Sequence, residues 1–221
     1  MRINKHLAQA TGMSRRAADT VIEAGRVRVN GQIPVPGQQI SPLDHVTLND
    51  KPIRLSDQRI TTIMINKPIG YVCSRNGQGS LTIYDLIPAR LHDLKPVGRL
   101  DKNSSGLLLL TNDGQLAYEL THPRFQKTKI YKVAVSPVLQ PLHRQMISDY
   151  GIMLDDGLSR LQLERINDND DSNWKVTMSE GRNRQIRRTF EALGYKVVKL
   201  HRTALGPYQL GDLKSGTYTD I

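Results

Sequence analysis

The sequence predicts an α+β fold with two parts: a small N-terminal unit of helix and β-hairpin, and a larger domain. The larger domain is predicted to have a mixed, largely antiparallel β-sheet flanked by a few helices. Two observations indicate this fold. Strand-like segments recur through residues 60–221 without a helix between each pair, which is typical of antiparallel sheets. In residues 1–58, one capped helix is followed directly by an alternating segment and a turn, which favours a helix packed on a hairpin.

The N-terminal unit contains a helix that we place from Ser14 to Ala24. Ser14 is a favourable N-cap, and Gly25 suits the C-terminal end. The apolar residues of this segment share one face, while its arginines and its aspartate point elsewhere. The apolar stripe consists of Ala17, Ala18, Val21 and Ile22.

A β-hairpin is predicted after this helix. Residues 26–29 alternate polar and apolar side chains, as a half-buried strand does. Asn30-Gly31 is the strongest short hairpin-turn signal, and Val46-Thr47-Leu48 supplies a second strand. The polar, patternless stretch Leu55–Arg59 is predicted to be a linker between domains of residues 1–58 and 60–221.

The larger domain is predicted from short apolar or alternating segments. We expect one helix from Gln185 to Leu193, with Ile186 and Phe190 on its buried face and Gly194 at its end. The acidic, polar segment 167–173 is expected to be an exposed hairpin tip. Strands are expected at residues 60–65, 107–110, 130–135, 174–178 and 197–200.

The chain carries an excess of positive charge. Lys and Arg number 31 against 21 Asp and Glu, which gives a formal net charge of +10 and a pI near 9.8. Such an excess favours polyanionic partners, with a role in solubility alone as the alternative. The single cysteine, Cys73, excludes an internal disulfide framework and a Cys-rich metal site, and it fits a reducing compartment.

No targeting or membrane signal is evident in the sequence. Residues 1–5 lack an apolar signal stretch. No segment approaches the roughly 18 consecutive apolar residues that a membrane span needs. We therefore expect a cytoplasmic protein that does not associate with a membrane.

A candidate catalytic carboxylate, Asp101, lies in a polar loop bounded by Gly98 and Gly106, immediately before the apolar run 107–110. A buried strand next to a loop holds a carboxylate rigidly at the surface, where catalytic groups tend to lie. The alternative is structural, because aspartate often caps Ser/Gly turns through its side chain.

An arginine cluster marks the start of the predicted helix. Four arginines fall within residues 182–188, interleaved with Asn183 and Gln185. Guanidinium groups and the free amides of a helix N-terminus suit phosphate, and guanidinium groups also bind carboxylates or bases in bidentate fashion. A solvated basic face is the ordinary explanation of such a charge run.

A tyrosine between lysines is the third candidate. Tyr131 is predicted on a strand with Lys129 and Lys132 beside it. This arrangement suits stacking of a nucleic-acid base next to a phosphate track. Packing of Tyr131 on the buried face of the sheet is the alternative.

These motifs, in this order, resemble the RsuA-like family of bacterial ribosomal RNA pseudouridine synthases. The N-terminal unit, through its residues 2–7, 14–18 and 25–31, resembles the small RNA-binding domain named after ribosomal protein S-four. The resemblance covers nearly the whole chain. In the larger domain it rests on NKP at 66–68, GRLD at 98–101, GLLLLTNDG at 106–114, KIY at 129–131, EGRNRQIRR at 180–188 and KLHR at 199–202.

The resemblance implies a catalytic domain that isomerises uridine in RNA to pseudouridine. It assigns Asp101 as the catalytic aspartate, Tyr131 as the aromatic residue that stacks on the target base, and Arg187 as the basic residue that pairs with Asp101. No atom enters or leaves in this isomerisation, so neither a cofactor nor a metal is expected. The residues expected to contact RNA are Lys5, Arg15, Arg16, Arg99, Arg182, Asn183, Arg184, Gln185 and Arg202.

The expected partner is ribosomal RNA, that of the large subunit rather than the small one, and the chain is expected to act as a monomer.

Two residues depart from the family pattern. Ser104 stands where threonine is usual and keeps the hydroxyl group. Thr189 stands where an apolar residue is usual and is expected to loosen the packing of the helix.

Three other classes of function are alternatives. A non-catalytic rRNA-binding or ribosome-assembly protein would share the charge and the N-terminal unit. It would not require the combination of a carboxylate, a stacking tyrosine and an arginine-rich helix. A glycoside hydrolase usually needs two carboxylates across the scissile bond, whereas Asp155-Asp156 are adjacent and are expected to form a solvated turn. A helix-turn-helix regulator would use the segment Ala8–Ala24, but the hairpin directly after it argues against this.

Overall fold

The computed structural model of this chain describes residues 1–55 and 59–221. They form two compact units, Met1–Arg59 and Ile60–Ile221. Of the linker predicted at Leu55–Arg59, residues 56–58 lie outside the described residues. No helix within the described ranges combines the length and the apolar content that crossing a lipid bilayer requires.

The first unit, as described over residues 1–55, packs two helices on a three-stranded antiparallel sheet. The helices are α1 (Ile3–Thr11) and α2 (Arg15–Glu23), and the strands are β1 (Val27–Val29), β2 (Val46–Leu48) and β3 (Lys51–Pro52), paired in that order. Their shared core consists of Ile3, Leu7, Ala18, Ile22, Val27, Val29, Ile40 and Val46.

Helix α2 matches the prediction closely. The Ser14 hydroxyl accepts a hydrogen bond from the Ala17 amide at 3.0 Å, and Ala18 and Ile22 are buried. The placement of Ala17 in the apolar stripe is wrong, because Ala17 is exposed. Burial is centred on Ala18 and Ile22, and Ala17 lies about 100° around the helix from Ala18.

The predicted turn forms, but the hairpin does not continue from it. Asn30 and Gly31 adopt positive φ values of 51° and 84°, and the return pairs only Val29 with Gln32. Strand β1 pairs with β2, which is the second strand predicted from Val46-Thr47-Leu48. The prolines that follow the turn cannot donate to a ladder, so the second strand comes from farther along the chain.

The second unit is built on a sheet that has nine strands among the described residues 59–221. Its elements were predicted in part, and their bounds are as follows. The strands of the unit are β4 (Thr62–Lys67), β5 (Lys95–Pro96), β6 (Ser105–Thr111), β7 (Lys129–Ser136), β8 (Ile152–Leu154), β9 (Gly157–Ser159), β10 (Gln162–Arg165), β11 (Asn173–Met178), β12 (Lys196–Leu205), β13 (Tyr208–Gln209) and β14 (Tyr218–Asp220). The helices are α3 (Gly114–Thr121), α4 (Pro141–Gln145) and α5 (Gln185–Glu191), with 3₁₀ turns at Ile83–Leu86, Ala89–Leu91 and Pro123–Phe125 and a π turn at Met146–Tyr150.

The prediction of a mixed, largely antiparallel sheet is confirmed. The main path runs β10-β11-β7-β12-β6-β4-β14, with β5 beside β6 and β13 beside β12. Among residues 59–221, the pairs of this sheet are antiparallel except for β6 with β12, which run parallel. Strands β8 and β9 form a separate hairpin. The predicted exposed tip at 167–173 joins β10 to β11.

Strand β6 anchors the loop that carries Asp101. Its four leucines, 107–110, are fully buried. Leu108 and Leu110 pack in the main core with Trp174 and Phe190, and Leu107 and Leu109 pack in a second cluster on the opposite face. Because both faces of β6 are covered, its sequence is continuously apolar rather than alternating.

Helix α5 buries Ile186 and Phe190 as predicted, and it ends at Glu191 rather than at Leu193. The expectation that Thr189 loosens its packing is wrong. The Thr189 hydroxyl lies 2.7 Å from the Ser159 hydroxyl and donates to the Gln185 carbonyl at 2.9 Å. A buried hydroxyl with two partners is compatible with a tight core.

Candidate active site

A cleft of about 630 Å³ opens in the second unit beside the loop that joins β5 to β6. Asp101 lies on its wall, and so do Tyr131, Arg184 and Arg202. A second cavity, of about 970 Å³, also borders Asp101 and Arg184 and is lined in addition by Lys199. Asp101 and Arg184 therefore lie between two cavities and line both of them.

The register of the sheet explains why these residues meet. Strand β12 lies between β6 and β7, so Arg202 is paired with Gly106 on one side and with Tyr131 on the other. Gly106 has φ +105°, and a Cβ atom there would lie 2.2 Å from the Arg202 carbonyl oxygen. Only glycine allows the backbones of β6 and β12 to approach this closely, directly after the Asp101 loop.

The buried side chain of Lys67 holds the backbone of the Asp101 loop. It is fully buried at the end of β4, and its Nζ donates to the carbonyl oxygens of Pro68 at 2.8 Å, Asp101 at 3.2 Å and Ser104 at 2.7 Å. Burial lowers the pKa of Lys67 from 10.5 to about 8, while the Cys73 thiol and Asp101 act in the opposite direction. Sequence reasoning assigned Lys67 no role in the site, although its place in the NKP motif at 66–68, directly after a β-branched segment, was the available signal.

The Asp101 side chain does not cap its own turn. The turn closes through the Ser104 amide, which donates to the Asp101 backbone carbonyl at 3.0 Å. In the described part of the chain, no hydrogen bond reaches the Asp101 carboxylate, which is 37% exposed and has Arg184 Nη1 at 3.7 Å from Oδ2. The capping alternative therefore does not describe this loop, and the carboxylate oxygens are free to meet a ligand.

Arg187 does not form the expected ion pair with Asp101. Its Nη1 donates to the Val197 carbonyl at 2.7 Å, and its Nη2 donates to the Asn103 carbonyl at 2.8 Å and contacts the Ser104 hydroxyl at 3.4 Å. Burial lowers the pKa of Arg187, as does the charge of Arg184, whereas Asp101 raises it. Arg187 thus holds the backbone of the Asp101 loop, and its charge acts on the carboxylate from a distance.

Tyr131 lies on β7 and is buried to 8% exposure. It belongs to the main hydrophobic core and also lines the cleft. The two interpretations of Tyr131 are therefore compatible, because the core holds the ring while part of it faces the cleft.

The Arg182 guanidinium binds acceptors of the protein itself, while Arg182 also lines the cleft, so its assignment as an RNA contact stays a prediction. Its Nη1 donates to Asp156 at 2.8 Å and to the Gly157 carbonyl at 2.9 Å, and its Nη2 donates to the Leu158 carbonyl at 2.8 Å. Arg182 precedes α5 by only three residues, so these bonds attach the β8–β9 hairpin to the start of that helix.

Asp156 is likewise not a merely solvated turn residue. Its second oxygen accepts from Arg188 Nη2 at 2.6 Å, in addition to the bond from Arg182. The hydrogen bond from Arg188, followed by the charge of Arg182, lowers the pKa of Asp156. One carboxylate therefore joins two members of the arginine cluster.

Gln185 makes its hydrogen bonds within the protein, while it also borders the cleft, so its assignment as an RNA contact stays a prediction. It is 2% exposed, and its Nε2 donates to the Ser159 hydroxyl at 3.1 Å and to the Glu180 carboxylate. Its Oε1 accepts from the Arg182 amide at 3.1 Å. Position 185 begins α5, whose inner face packs on the core, so this side chain points inwards.

Arg202 lies in the back wall of the cleft rather than on the outer surface. It is 3% exposed, and its Nε donates to the Leu107 carbonyl at 2.8 Å. Its buried Nη2 has no hydrogen-bond partner within the described residues, and no carboxylate lies within 4.0 Å of it. A buried guanidinium with an unpaired donor is unusual, because desolvation without a partner is unfavourable.

The remaining predicted contacts are accessible. Arg99, Asn183 and Arg184 are exposed and line the cleft. In the first unit, Arg15 and Arg16 are exposed and Lys5 is half-buried. Across residues 1–55 and 59–221, no group of three or more His, Cys, Asp or Glu side chains could hold a metal ion.

Comparison with known families covers both units. A family model described as RNA pseudouridylate synthase matches residues 61–192, and a model described as S4 domain matches residues 1–42. An uncharacterized RNA pseudouridine synthase of Aquifex aeolicus is 39% identical, over 100% of this chain and 90% of its own length. The ribosomal small subunit pseudouridine synthase A of Pasteurella multocida is 34% identical over 100% of this chain and 96% of its own length. The ribosomal large subunit pseudouridine synthase B of Bacillus subtilis is 33% identical over 100% of this chain and 91% of its own length.

A solved structure agrees with these matches. A crystal structure described as a pseudouridylate synthase aligns with a TM-score of 0.72 and 33% identity, covering 100% of this chain and 96% of that one. The resemblance seen in the motifs is therefore confirmed. The chain belongs to the RNA pseudouridylate synthase family, a family of isomerases, and carries an S4 domain at its N-terminus.

Proposed function

We propose that this chain converts a uridine of large-subunit ribosomal RNA to pseudouridine, with Asp101 as the catalytic carboxylate. The observation that carries the proposal is that Asp101 has a fixed backbone and an unbonded carboxylate. Its loop is fixed by Lys67 and Arg187, yet its carboxylate accepts no hydrogen bond from the described residues and borders an open cleft. A group held in this way is preorganised to meet a substrate.

The reaction breaks the bond between C1′ of the sugar and N1 of uracil, turns the base and joins C1′ to C5. The base loses the hydrogen on C5 and gains one on N1, so the composition of the RNA does not change. A carboxylate beside the sugar can act as a nucleophile at C1′ or as a base toward C2′. Asp101 serves either route, and we propose that Tyr131 stacks on the base while it turns.

A uridine in folded RNA must leave its stack before it can enter the cleft. The cleft volume of about 630 Å³ falls within the roughly 300–1,000 Å³ of small-ligand sites, which suits one nucleotide. We propose that Arg99, Asn183 and Arg184 contact the RNA around that nucleotide, and that Arg202 contacts it inside the cleft. Lys5, Arg15 and Arg16 would add affinity through the S4 domain.

Both subunits are represented in the names of the relatives. We propose large-subunit RNA as the substrate on the overall pattern of the motifs, with the chain acting as a cytoplasmic monomer. Sedimentation of the purified chain, alone and with an RNA transcript, tests the monomer.

Mapping of pseudouridine in ribosomal RNA, with and without the protein, tests the activity. The wild-type chain and Asp101→Asn are added to transcripts of each subunit RNA. Asp93→Asn, a change in an exposed aspartate outside both cavities, is the matched control. We expect one new site with wild type and with the control, and none with Asp101→Asn.

Each other outcome contradicts part of the proposal. Conversion by Asp101→Asn removes Asp101 from the mechanism. Binding without conversion by wild type favours a non-catalytic rRNA-binding protein. A new site confined to small-subunit RNA corrects the choice of substrate.

A further inference from the structure

An exposed cluster of rings lies at the edge of the Asp101 cleft, at the end of α3. The Tyr118 ring lies 4.7 Å from the His122 ring and 5.5 Å from the Phe125 ring, centroid to centroid. The Arg124 guanidinium lies over the Phe125 ring at 4.4 Å and near the Tyr118 ring at 5.1 Å. We call Tyr118, His122, Arg124 and Phe125 the aromatic rim.

Helix α3, which is capped at its start and packed on the core near its end, holds the aromatic rim in place. Asp113 caps α3 by accepting hydrogen bonds from Gln115 N at 2.8 Å and Leu116 N at 3.2 Å. Leu120, near the other end of α3, is buried in the core. The His122 ring accepts a hydrogen bond from the Arg124 amide through Nδ1 at 3.2 Å, which caps the 3₁₀ turn Pro123–Phe125.

The rim is accessible and continuous with the cleft. Tyr118 is 37% exposed, and both His122 and Arg124 are exposed. His122 and Pro123 line the cleft that also contains Asp101. His122 therefore connects the rim to the edge of the cleft, so a chain bound in the cleft can extend onto the rim.

The charge of Arg124 is uncompensated by acidic side chains. Within the described residues no carboxylate lies within 4.0 Å of it, whereas Arg182 and Arg188 are both paired with Asp156. Lys127 and Arg99 line the same cleft and add positive charge. The rim therefore combines aromatic faces with a cation that is free to meet an anion.

Aromatic faces beside a guanidinium are the chemistry that binds unpaired nucleotides, through stacking on the base and contact with the phosphate. Packing of the α3–β7 turn is the structural alternative, but it does not require an exposed, unpaired arginine. We propose that the aromatic rim binds a nucleotide flanking the target uridine, with its base on the rings and its phosphate at Arg124. This inference rests on the proposed function, since it deepens the account of the same substrate.

The test compares binding and turnover of the full-length chain on one ribosomal RNA transcript. We expect Arg124→Gln and Tyr118→Leu to raise Kd and KM at least about fivefold, in line with the loss of one stacked base. The kcat value should change by less than about twofold, because the rim does not touch the reacting atoms. Arg124→Gln should also reduce the slope of log Kd against log salt by about 0.7.

Conservative variants separate recognition from folding. Arg124→Lys should restore the salt slope without restoring the full affinity, because lysine keeps the charge and loses the planar stack. Tyr118→Phe should bind like wild type. Arg144→Gln is the matched control, since Arg144 also lies over a ring, that of Trp174 at 6.0 Å, but outside the cleft.

The inference is overturned if Arg124→Gln and Arg144→Gln have the same Kd and salt slope. It is also overturned if Tyr118→Leu lowers the melting temperature and leaves Kd unchanged, which would make the rim structural. The two proposals fail separately. If the wild-type chain binds the transcript but does not convert it, the proposed function is refuted, and the Kd values of the variants still test whether the aromatic rim binds RNA. If the wild-type chain does not bind, both proposals are refuted.

Discussion

Arg184 Nη1 lies 3.7 Å from Asp101 Oδ2, while the fork of Arg187 is occupied by the carbonyls of Val197 and Asn103. Their positions on α5 explain the difference. Arg184 is the N-cap residue, with φ 47°, and its side chain is 44% exposed. Arg187 lies in the first turn and is buried. Arg184 therefore supplies charge at the carboxylate, and Arg187 holds the loop that carries it.

These roles predict that one substitution lowers mainly kcat and the other lowers mainly the unfolding free energy. Arg184→Gln should lower kcat by about tenfold to a hundredfold, since one charged group beside the reacting site is lost, and it should leave the unfolding free energy nearly unchanged. Arg187→Met should lower the unfolding free energy by about 3 kcal/mol, because two carbonyl oxygens lose a charged donor. Urea unfolding and single-turnover kinetics measure both, with the exposed Arg160→Gln as the control. Equal loss of stability in both variants would contradict the division of roles.

Lys67 is predicted to set the position of Asp101 through the backbone. Lys67→Met removes three hydrogen bonds to carbonyl oxygens, including that of Asp101. We expect a fall in kcat together with a fall in the unfolding free energy, while Kd for RNA stays close to that of wild type. An unchanged kcat in a folded Lys67→Met variant would show that the loop keeps its geometry without the lysine.

The lowered pKa of Lys67 adds a prediction on pH. Folding shifts this pKa from 10.5 to about 8, so between these values the unfolded chain binds the proton and the folded chain releases it. Stability from this group therefore rises as pH increases from 8 to 10.5, and the unfavourable burial of the charge is fully present below pH 8. The difference in unfolding free energy between wild type and Lys67→Met, measured by urea unfolding across this range, should increase with pH. A flat difference would mean that folding leaves this pKa unchanged.

Gly106 is predicted to be required for the contact between β6 and β12. Gly106→Ala places a Cβ 2.2 Å from the Arg202 carbonyl oxygen at a residue with φ +105°. The backbones must separate, so we expect a loss of about 3 kcal/mol or more in unfolding free energy. Gly114→Ala is the matched control, because a Cβ there meets nothing within 4 Å and alanine favours a helix. Thermal melting of both variants tests this, and a stable Gly106→Ala protein would refute the close approach.

The sequence contained the features that local chemistry controls. The Ser14 cap, the apolar run after Asp101 and the stripe on α5 all follow from neighbours within a few residues, so they were predicted with nearly correct bounds. Helix α1 was not predicted as an element. Its N-cap, Arg2, makes no side-chain cap, and its first turn has no acidic residue, so tertiary contacts of Ile3 and Leu7 stabilise it.

The partners of the arginines could not be predicted, because they are distant in sequence. Arg182 meets Asp156, 26 residues away, and Arg187 meets Asn103, 84 residues away. An arginine cluster alone does not reveal which members are already paired. Only the folded arrangement distinguishes Arg184, which lies beside Asp101, from Arg182, which binds the β8–β9 hairpin.

The last prediction concerns Arg202, because burying its guanidinium with an unpaired donor does not favour folding. Its Nη2 is buried without a partner among the described residues, and its one hydrogen bond runs from Nε to Leu107. For Arg202→Met, the loss of that bond is offset by removal of an unpaired buried charge, so the unfolding free energy should change by less than about 2 kcal/mol. Affinity for the RNA transcript should nevertheless fall, because the free donor beside Tyr131 would no longer meet the substrate. Urea unfolding and RNA titration on the same preparation test this, with Arg187→Met for comparison. A large loss of stability with unchanged affinity would mean that Arg202 serves the sheet rather than the substrate.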